Sequence, residues 1–267
     1  MRTVDYTGYQ GLAITREGTV LTVALDRPEA LNAIDDEMHE ELGRVFADVA
    51  LDDRTRVVVL TGTGRAFSAG GDIKSMLAHA ERTGSFGHSI DMATAKRIVF
   101  SLLDLEKPVL AKVNGPAMGL GATLALLCDM VYMAESAVLA DPHVRAGVVA
   151  GDGGAVIWPQ LIGYARAKEL LMTGDPVDAA RAAELGLVNH VTPDSELDEV
   201  VAAMARRLAA GPQEAIRWTK VAANLPLKRT MHSVLDASLA YELLTMRSAG
   251  HERAVRAFVD GREPQFD

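Results

Sequence analysis

Arg65-Ala-Phe-Ser-Ala-Gly-Gly-Asp-Ile-Lys74 and Asn114-Gly-Pro-Ala-Met-Gly-Leu-Gly-Ala122 are two glycine-bearing turns, and what flanks them decides the fold. Val57-Val-Val-Leu-Thr61 precedes the first and Val109-Leu-Ala-Lys-Val113 the second, β-branched runs that read as strands, and each turn leads into a helical pattern. A turn at such a junction leaves backbone N–H groups unpaired where the helix begins. Two such groups aimed at one carbonyl oxygen stabilise negative charge developing there, the physical content of an oxyanion hole. Taken singly, either turn is equally well a device for tight turning and close helix packing.

Working outward, Gly11 to Arg16 and Thr19 to Asp26 read as two strands around the turn signal Glu17-Gly18. From Asp35, a residue suited with Asp36 to the N-cap, Met38, Leu42, Val45, Phe46 and Val49 repeat at helical spacing. A strand over Arg56 to Thr61 follows, and the alternation of strand pairs and helices continues to about Val191. This predicts an α/β fold of stacked ββα turns over residues 1–193. Beyond Pro193 the pattern is helical, with one stripe of Leu197, Val200, Val201, Met204 and Leu208 and another of Met231, Leu235, Leu239, Leu243 and Met246. Residues 194–267 are therefore expected to form a helical region broken at Gly211-Pro212 and Leu225-Pro226. His79 to Ser89, mixed in Gly, Ser and charge, reads as a loop.

The chain has 267 residues, of which 49% are hydrophobic and 24% charged, enough for a large core. Its formal charge of −9 argues against nonspecific nucleic-acid binding, which needs a clustered basic surface. Cys128 is the only cysteine, so no intrachain disulfide and no thiolate metal cluster is expected. The N-terminal stretch has no apolar targeting core and no segment matches a membrane span, so a cytoplasmic protein without membrane partners is expected. The seven histidines lack the i, i+4 pairing of a helix-borne zinc site, and no metal is expected.

Both turns, together with Leu25-Asp-Arg-Pro-Glu-Ala-Leu-Asn-Ala33, Cys128-Asp-Met130, Ala140-Asp-Pro142, Gly147 to Gly154 and Ala182-Ala-Glu-Leu-Gly-Leu-Val188, resemble the crotonase, or enoyl-CoA hydratase/isomerase, superfamily over most of the chain. The resemblance implies an acyl-CoA substrate, no tightly bound cofactor, and stabilisation of a thioester enolate by the backbone N–H groups of Gly71 and Leu120. It implies that Arg27, Ala30 and Leu31 lie along the nucleotide and pantetheine arm, with Ala69, Asp72, Ile73 and Lys74 near adenine and pantetheine. It also implies that the C-terminal helices cover the site and build a homotrimer or a dimer of trimers.

Two departures from the family pattern bear on the reaction. Where hydratases of this family carry a pair of glutamates that activate water and deliver a proton, this chain has Thr123 and His143. Threonine is no base at neutral pH, so paired-carboxylate hydration is unavailable. His143 exchanges protons readily, yet it also reads as a partly exposed residue after the Asp141-Pro142 turn. Asp152, in Val148-Val-Ala-Gly-Asp-Gly-Gly154, stands one residue beyond the aspartate that some isomerases and dehalogenases place in this loop. It serves either as a base or as the cap of the helix that follows, and a capped carboxylate is a weaker base. Isomerisation, decarboxylation or thioester hydrolysis fits these residues better than hydration, and a non-catalytic CoA-thioester-binding protein is the alternative.

Overall fold

A computed structural model describes residues 2–266 except 85 and 87–90. β1 (Leu12–Glu17) and β2 (Val20–Leu25) form an antiparallel hairpin that turns at Gly18, whose φ of +58° favours glycine. In α1 (Asp36–Leu51) the Asp35 carboxylate accepts the Met38 N–H at 2.9 Å, and Met38, Leu42, Val45, Phe46 and Val49 turn inward. β3 (Val57–Gly62) then pairs parallel to β2, with Val20 opposite Val57. All six of its residues are buried, which is why it reads as a continuous apolar run rather than an alternating one.

The same cycle recurs. α2 (Ile73–Thr83) and α3 (Met92–Asp104) lead to β4 (Val109–Val113), and β5 (Ala117–Met118) with α4 (Leu120–Leu127) leads to β6 (Met130–Ala134). β7 (Val138–Ala140), α5 (Gly154–Ile162), α6 (Tyr164–Thr173), β8 (Val177–Asp178) and α7 (Ala179–Leu185) lead to β9 (His190–Thr192). The main sheet runs β1-β2-β3-β4-β6-β9, parallel throughout after the hairpin, while β5, β7 and β8 form a second, small sheet. This is the stacked ββα arrangement expected from the strand and helix periodicities. Among its fully buried side chains are Trp158, Tyr132, Phe46 and Phe67.

The last part of the chain is helical, as expected: α8 (Leu197–Ala210), α9 (Gln213–Met246) and α10 (Ala249–Val259). Gly211-Pro212 does separate two helices, but Leu225-Pro226 does not, because α9 continues for 34 residues through Pro226. A proline removes one N–H and so one rung of the helical ladder. On either side of it the helix is tied to the body by Lys220–Asp129 at 2.7 Å and Lys228–Asp104 at 2.5 Å. The stripe on α9 also differs from its sequence reading. Met231, Leu235, Leu239 and Met246 are buried, but Ser238 and Glu242 share that face while Leu243 is only half-buried.

The stretch His79 to Ser89 is not all loop. α2 extends to Thr83, its N-terminus capped by Asp72 and its far end packed beside α10, while residues 85 and 87–89 lie outside the described residues. Among the described residues no helix is long and apolar enough to cross a membrane.

Candidate active site

The two glycine turns are stitched to each other. Ser68 bridges Ala117, the Met118 N–H donates to the Ser68 carbonyl at 2.9 Å, and the Phe67 and Ser68 N–H groups both donate to the Pro116 carbonyl at 3.1 Å. Such closeness depends on missing side chains. A Cβ on Gly121 would stand 2.6 Å from the Ser68 side chain, and one on Gly70, at φ +82°, would stand 2.8 Å from the Met118 carbonyl. On the other side of the first turn, Ile34 donates to the Gly70 carbonyl and Asp72 donates to the Ile34 carbonyl, so the pairing passes over the N–H of Gly71. Leu120 is the first residue of α4, where no intrahelical acceptor exists. Neither N–H has a hydrogen-bond partner among the described residues.

Beside this pair of turns lies a buried acid–base cluster. Asp141, 2% exposed, follows β7 and caps a 3-10 turn over Pro142–Ala146 that closes at Gly147 with φ +69°. The turn brings His143 back over it, with Nδ1 2.5 Å from Asp141 Oδ1. The imidazole edge faces the second glycine turn: a Cβ on Gly119, the residue before Leu120, would stand 3.3 Å from His143 Cε1. His143 Nε2 is 3.5 Å from Asp152 Oδ2 and 4.0 Å from Glu242 Oε1. Asp152 is fixed by its other oxygen, which accepts from the Thr123 hydroxyl at 3.1 Å and from the Gly154 N–H at 3.3 Å. Thr123 thus hydrogen-bonds the carboxylate of Asp152.

The cluster alters the protonation of every member that faces His143 Nε2. Burial by itself would lower the pKa of His143, but the charges of Asp141, Asp152 and Glu242 outweigh it and hold the imidazole protonated well above its ordinary range. Burial raises Asp152, against the opposing pull of His143 and its two hydrogen bonds. Here the structure corrects the expectation that Asp152 caps the helix that follows: the N-cap of α5 is Gly153, with no side-chain cap, and the lowered pKa of a capping carboxylate does not apply. Asp152 does accept from the Gly154 N–H, yet loss of water outweighs the bonds it gains. Burial, joined by Asp152 and Asp141, pushes Glu242 up to about 8. His143 itself is 18% exposed at its side chain, more enclosed than a residue after a surface turn.

The residues expected to hold coenzyme A gather at the first turn. Ala30 and Leu31 end a short 3-10 turn, with Leu31 at φ +54°, and the Leu31 carbonyl accepts the N–H of the exposed residue Ala69 at 2.9 Å. Asp72 caps α2 through the Lys74 and Ser75 N–H groups, both at 3.1 Å, which starts the helix at Ile73 and leaves Lys74 exposed. Arg27 is not a free cation: it pairs with Asp35 at 3.2 Å and Asp72 at 3.0 Å and donates to the Ala33 carbonyl at 2.6 Å. Its charge is partly neutralised in joining the caps of α1 and α2.

Two members of the cluster have no role in the sequence reading. Asp141 stands there only as part of a motif, and Glu242 is hidden because Leu243 reads as a member of the stripe. A carboxylate three residues after Leu239 and four before Met246, on an otherwise apolar face, is the signal that finds it. Asp141, His143 and Asp152 also each present a ligand atom within 4.8 Å of the others, a grouping on loops that a search for helix-borne histidine pairs does not see. Any cation there would compete for the imidazole nitrogens, which already face Asp141 and Asp152. A cavity of about 440 Å³ lined by Tyr132, His190, Val200, Met204 and Arg207 shares no residue with either turn or with the cluster.

The sequence profile of the enoyl-CoA hydratase/isomerase family matches residues 15–267. The chain is 37% identical over 253 residues to the 1,2-epoxyphenylacetyl-CoA isomerase of Escherichia coli, covering 94% of this chain and 95% of that one. It is 32% identical to the carnitinyl-CoA dehydratase of Citrobacter koseri, covering 96% and 97%. Among solved structures, an enoyl-CoA hydratase/isomerase from Mycobacterium paratuberculosis superposes with a TM-score of 0.86 at 37% identity, over 94% of this chain and 99% of that one.

Proposed function

The chain belongs to the enoyl-CoA hydratase/isomerase, or crotonase, superfamily of acyl-CoA enzymes, and from that membership we propose that it forms a thioester enolate and moves a proton on it, as an isomerase rather than a hydratase. The thioester carbonyl oxygen sits between the Gly71 and Leu120 N–H groups, which stabilise the enolate oxygen; one such donor is typically worth about 3 kcal/mol of barrier. The Oδ2 atom of Asp152 takes the proton from carbon, and the Asp152–His143 pair returns a proton at another carbon of the same enolate. Thr123 and Gly154 hold the other oxygen, so Oδ2 alone is left to react. His143 stands behind it as a charged partner that favours the ionised carboxylate. The coenzyme A portion lies along Ala30, Leu31, Ala69, Asp72 and Ile73, with Arg27 and Lys74 meeting its phosphates.

The observation that carries this reading is the His143 imidazole, held by Asp141 at 2.5 Å and by Asp152 at 3.5 Å immediately beside the turn that offers the Leu120 N–H. With Thr123 and His143 where a hydratase needs two glutamates, a single aspartate–histidine pair supports proton transfer without a second carboxylate at those positions. The Asp141–His143 bond also favours a second reading, hydrolysis, since a carboxylate-oriented imidazole is the usual activator of water. Mass spectrometry of an acyl-CoA panel separates the two: hydrolysis frees coenzyme A, hydration adds water, and isomerisation leaves mass unchanged but shifts the chromatographic position. Turnover should fall at least 10²-fold in Asp152→Asn and in His143→Ala. Undiminished turnover in both variants removes these residues from the mechanism, and binding without any product makes the chain a thioester-binding protein.

The exposed Trp218, Leu225, Tyr241 and Leu244 of α9 and Phe258 and Val259 of α10 supply apolar surface for subunit contact in the C-terminal region. A homotrimer or dimer of trimers is the assembly proposed, testable by light scattering of the purified chain.

A further inference from the structure

A carboxyl in the middle of the buried face of α9 has no packing reason to be there. Glu242 is 4% exposed and its Oε2 has no hydrogen-bond partner, where a leucine would bury apolar area at no cost. The surroundings are built to admit it. A Cβ on Gly151 would stand 2.5 Å from both Glu242 Cβ and Oε2, and Ser238, one turn earlier on α9, donates to the Gly151 carbonyl at 2.8 Å. Helix and loop are thus clamped where the acid enters. The ionisable groups it faces are Asp141 and His143 of the 3-10 turn and Asp152 of the loop before α5, while His143 in turn acts on His251 of α10. The contact runs through His143, whose Nε2 lies 3.5 Å from Asp152 Oδ2 and 4.0 Å from Glu242 Oε1. One ring nitrogen therefore serves two carboxyls from different elements.

We propose that Glu242 is a proton-relay residue acting through His143, storing the proton that refills Nε2 during turnover. The proposal rests on the enolate reading above. When Asp152 has taken a proton from carbon and the enolate is protonated instead by the Nε2–H of His143, the Glu242 O–H bond breaks as a new Nε2–H bond forms, leaving Glu242 ionised. Nε2 then gives its proton back to Glu242 and, with its lone pair freed, takes the one held on Asp152, which restores the starting charges with no net gain or loss. The raised pKa of Glu242, about 8, keeps the stored proton in place at neutral pH.

The test is wash-in of solvent deuterium at the α-carbon of butyryl-CoA and phenylacetyl-CoA, followed by mass from pH 6 to 9 in wild type, Glu242→Gln and Glu242→Asp. Glutamine keeps the volume and the neutral charge but cannot pass a proton. It should slow exchange by about 10²-fold at pH 7 with KM changed less than twofold, aspartate should recover at least tenfold of that loss, and the wild-type decline above pH 8 should be absent in Glu242→Gln. Exchange in Glu242→Gln within threefold of wild type with the same pH profile overturns the relay and leaves the enolate reading standing. Equal slowing at every pH with no recovery in Glu242→Asp is a packing effect and overturns it too. Absence of exchange in wild type itself overturns the enolate reading and the relay with it.

Discussion

Replacing Glu242 by glutamine should make the protein more stable at neutral and alkaline pH, and increasingly so as pH rises. In the folded chain this carboxyl titrates at about 8, against 4.5 when free. Below pH 4.5 both folded and unfolded chains hold the proton and the titration of this residue does not alter stability. Between 4.5 and about 8 the unfolded chain has released it while the folded chain still binds it, so stability falls as pH rises. Above 8 the fall levels off. At about 1.4 kcal/mol for each pH unit, the full cost at pH 9 is on the order of 5 kcal/mol. The glutamine side chain would carry no charge at any pH, at a cost of about 1 kcal/mol for a buried amide without partners. Wild type and variant should therefore unfold within a few degrees of each other at pH 5, and the variant about 10 °C higher at pH 9. His143 and Asp152 are raised as well and act in the same direction, so both proteins lose stability toward alkaline pH and the difference between them is the quantity to read. Thermal unfolding at pH 5, 7 and 9, at one fixed protein concentration, supplies it. A variant whose offset from wild type is the same at pH 5 and pH 9 refutes the electrostatic reasoning.

Three other substitutions probe separate parts of the account. Gly119→Ala places a side chain at φ +53°, 3.3 Å from His143 Cε1, and should lower kcat/KM by about 10²-fold in acyl-CoA assays by tilting the Leu120 N–H, with full activity as the contrary result. Asp141→Asn removes the carboxylate beside Nδ1 and should move the His143 titration, followed by NMR of the imidazole nitrogens, to lower pH; an unmoved titration contradicts the charge assignment. Lys220→Met strands Asp129, whose pKa burial already raises, and should cost about 2 kcal/mol at pH 7 and less as the pH is lowered and the carboxyl takes up a proton; a loss in denaturation that does not change with pH contradicts this.

Much of the framework was legible because it obeys local rules. Asp35 caps α1, Gly18 turns the hairpin, and an unbroken Val-Val-Val-Leu run forms a strand buried on both faces. Local rules also misled. Proline at 226 reads as a break when only its neighbours in sequence are weighed, but α9 runs on through it, with Lys220 and Lys228 on either side paired across the fold to Asp129 and Asp104. The glycine turns were found by spacing, while their union needed contacts between Ser68, Ala117 and Gly121 that no single stretch contains. The acid–base cluster was half visible. His143 and Asp152 lie in segments whose composition draws attention, whereas Glu242 reaches them from a helix far onward in the chain and is recognised only as a polar interruption of an apolar stripe.

The central claim is that the two turns hold a thioester oxygen beside Asp152 and His143. A crystal structure of the enzyme with a bound, unreactive acyl-CoA thioether-ketone analogue tests it most directly. The carbonyl oxygen should lie about 2.7–3.1 Å from both the Gly71 and Leu120 nitrogens, with the adjacent carbon within about 3.5 Å of Asp152 Oδ2. A carbonyl bound away from either nitrogen, or a carbon out of reach of Asp152, contradicts it.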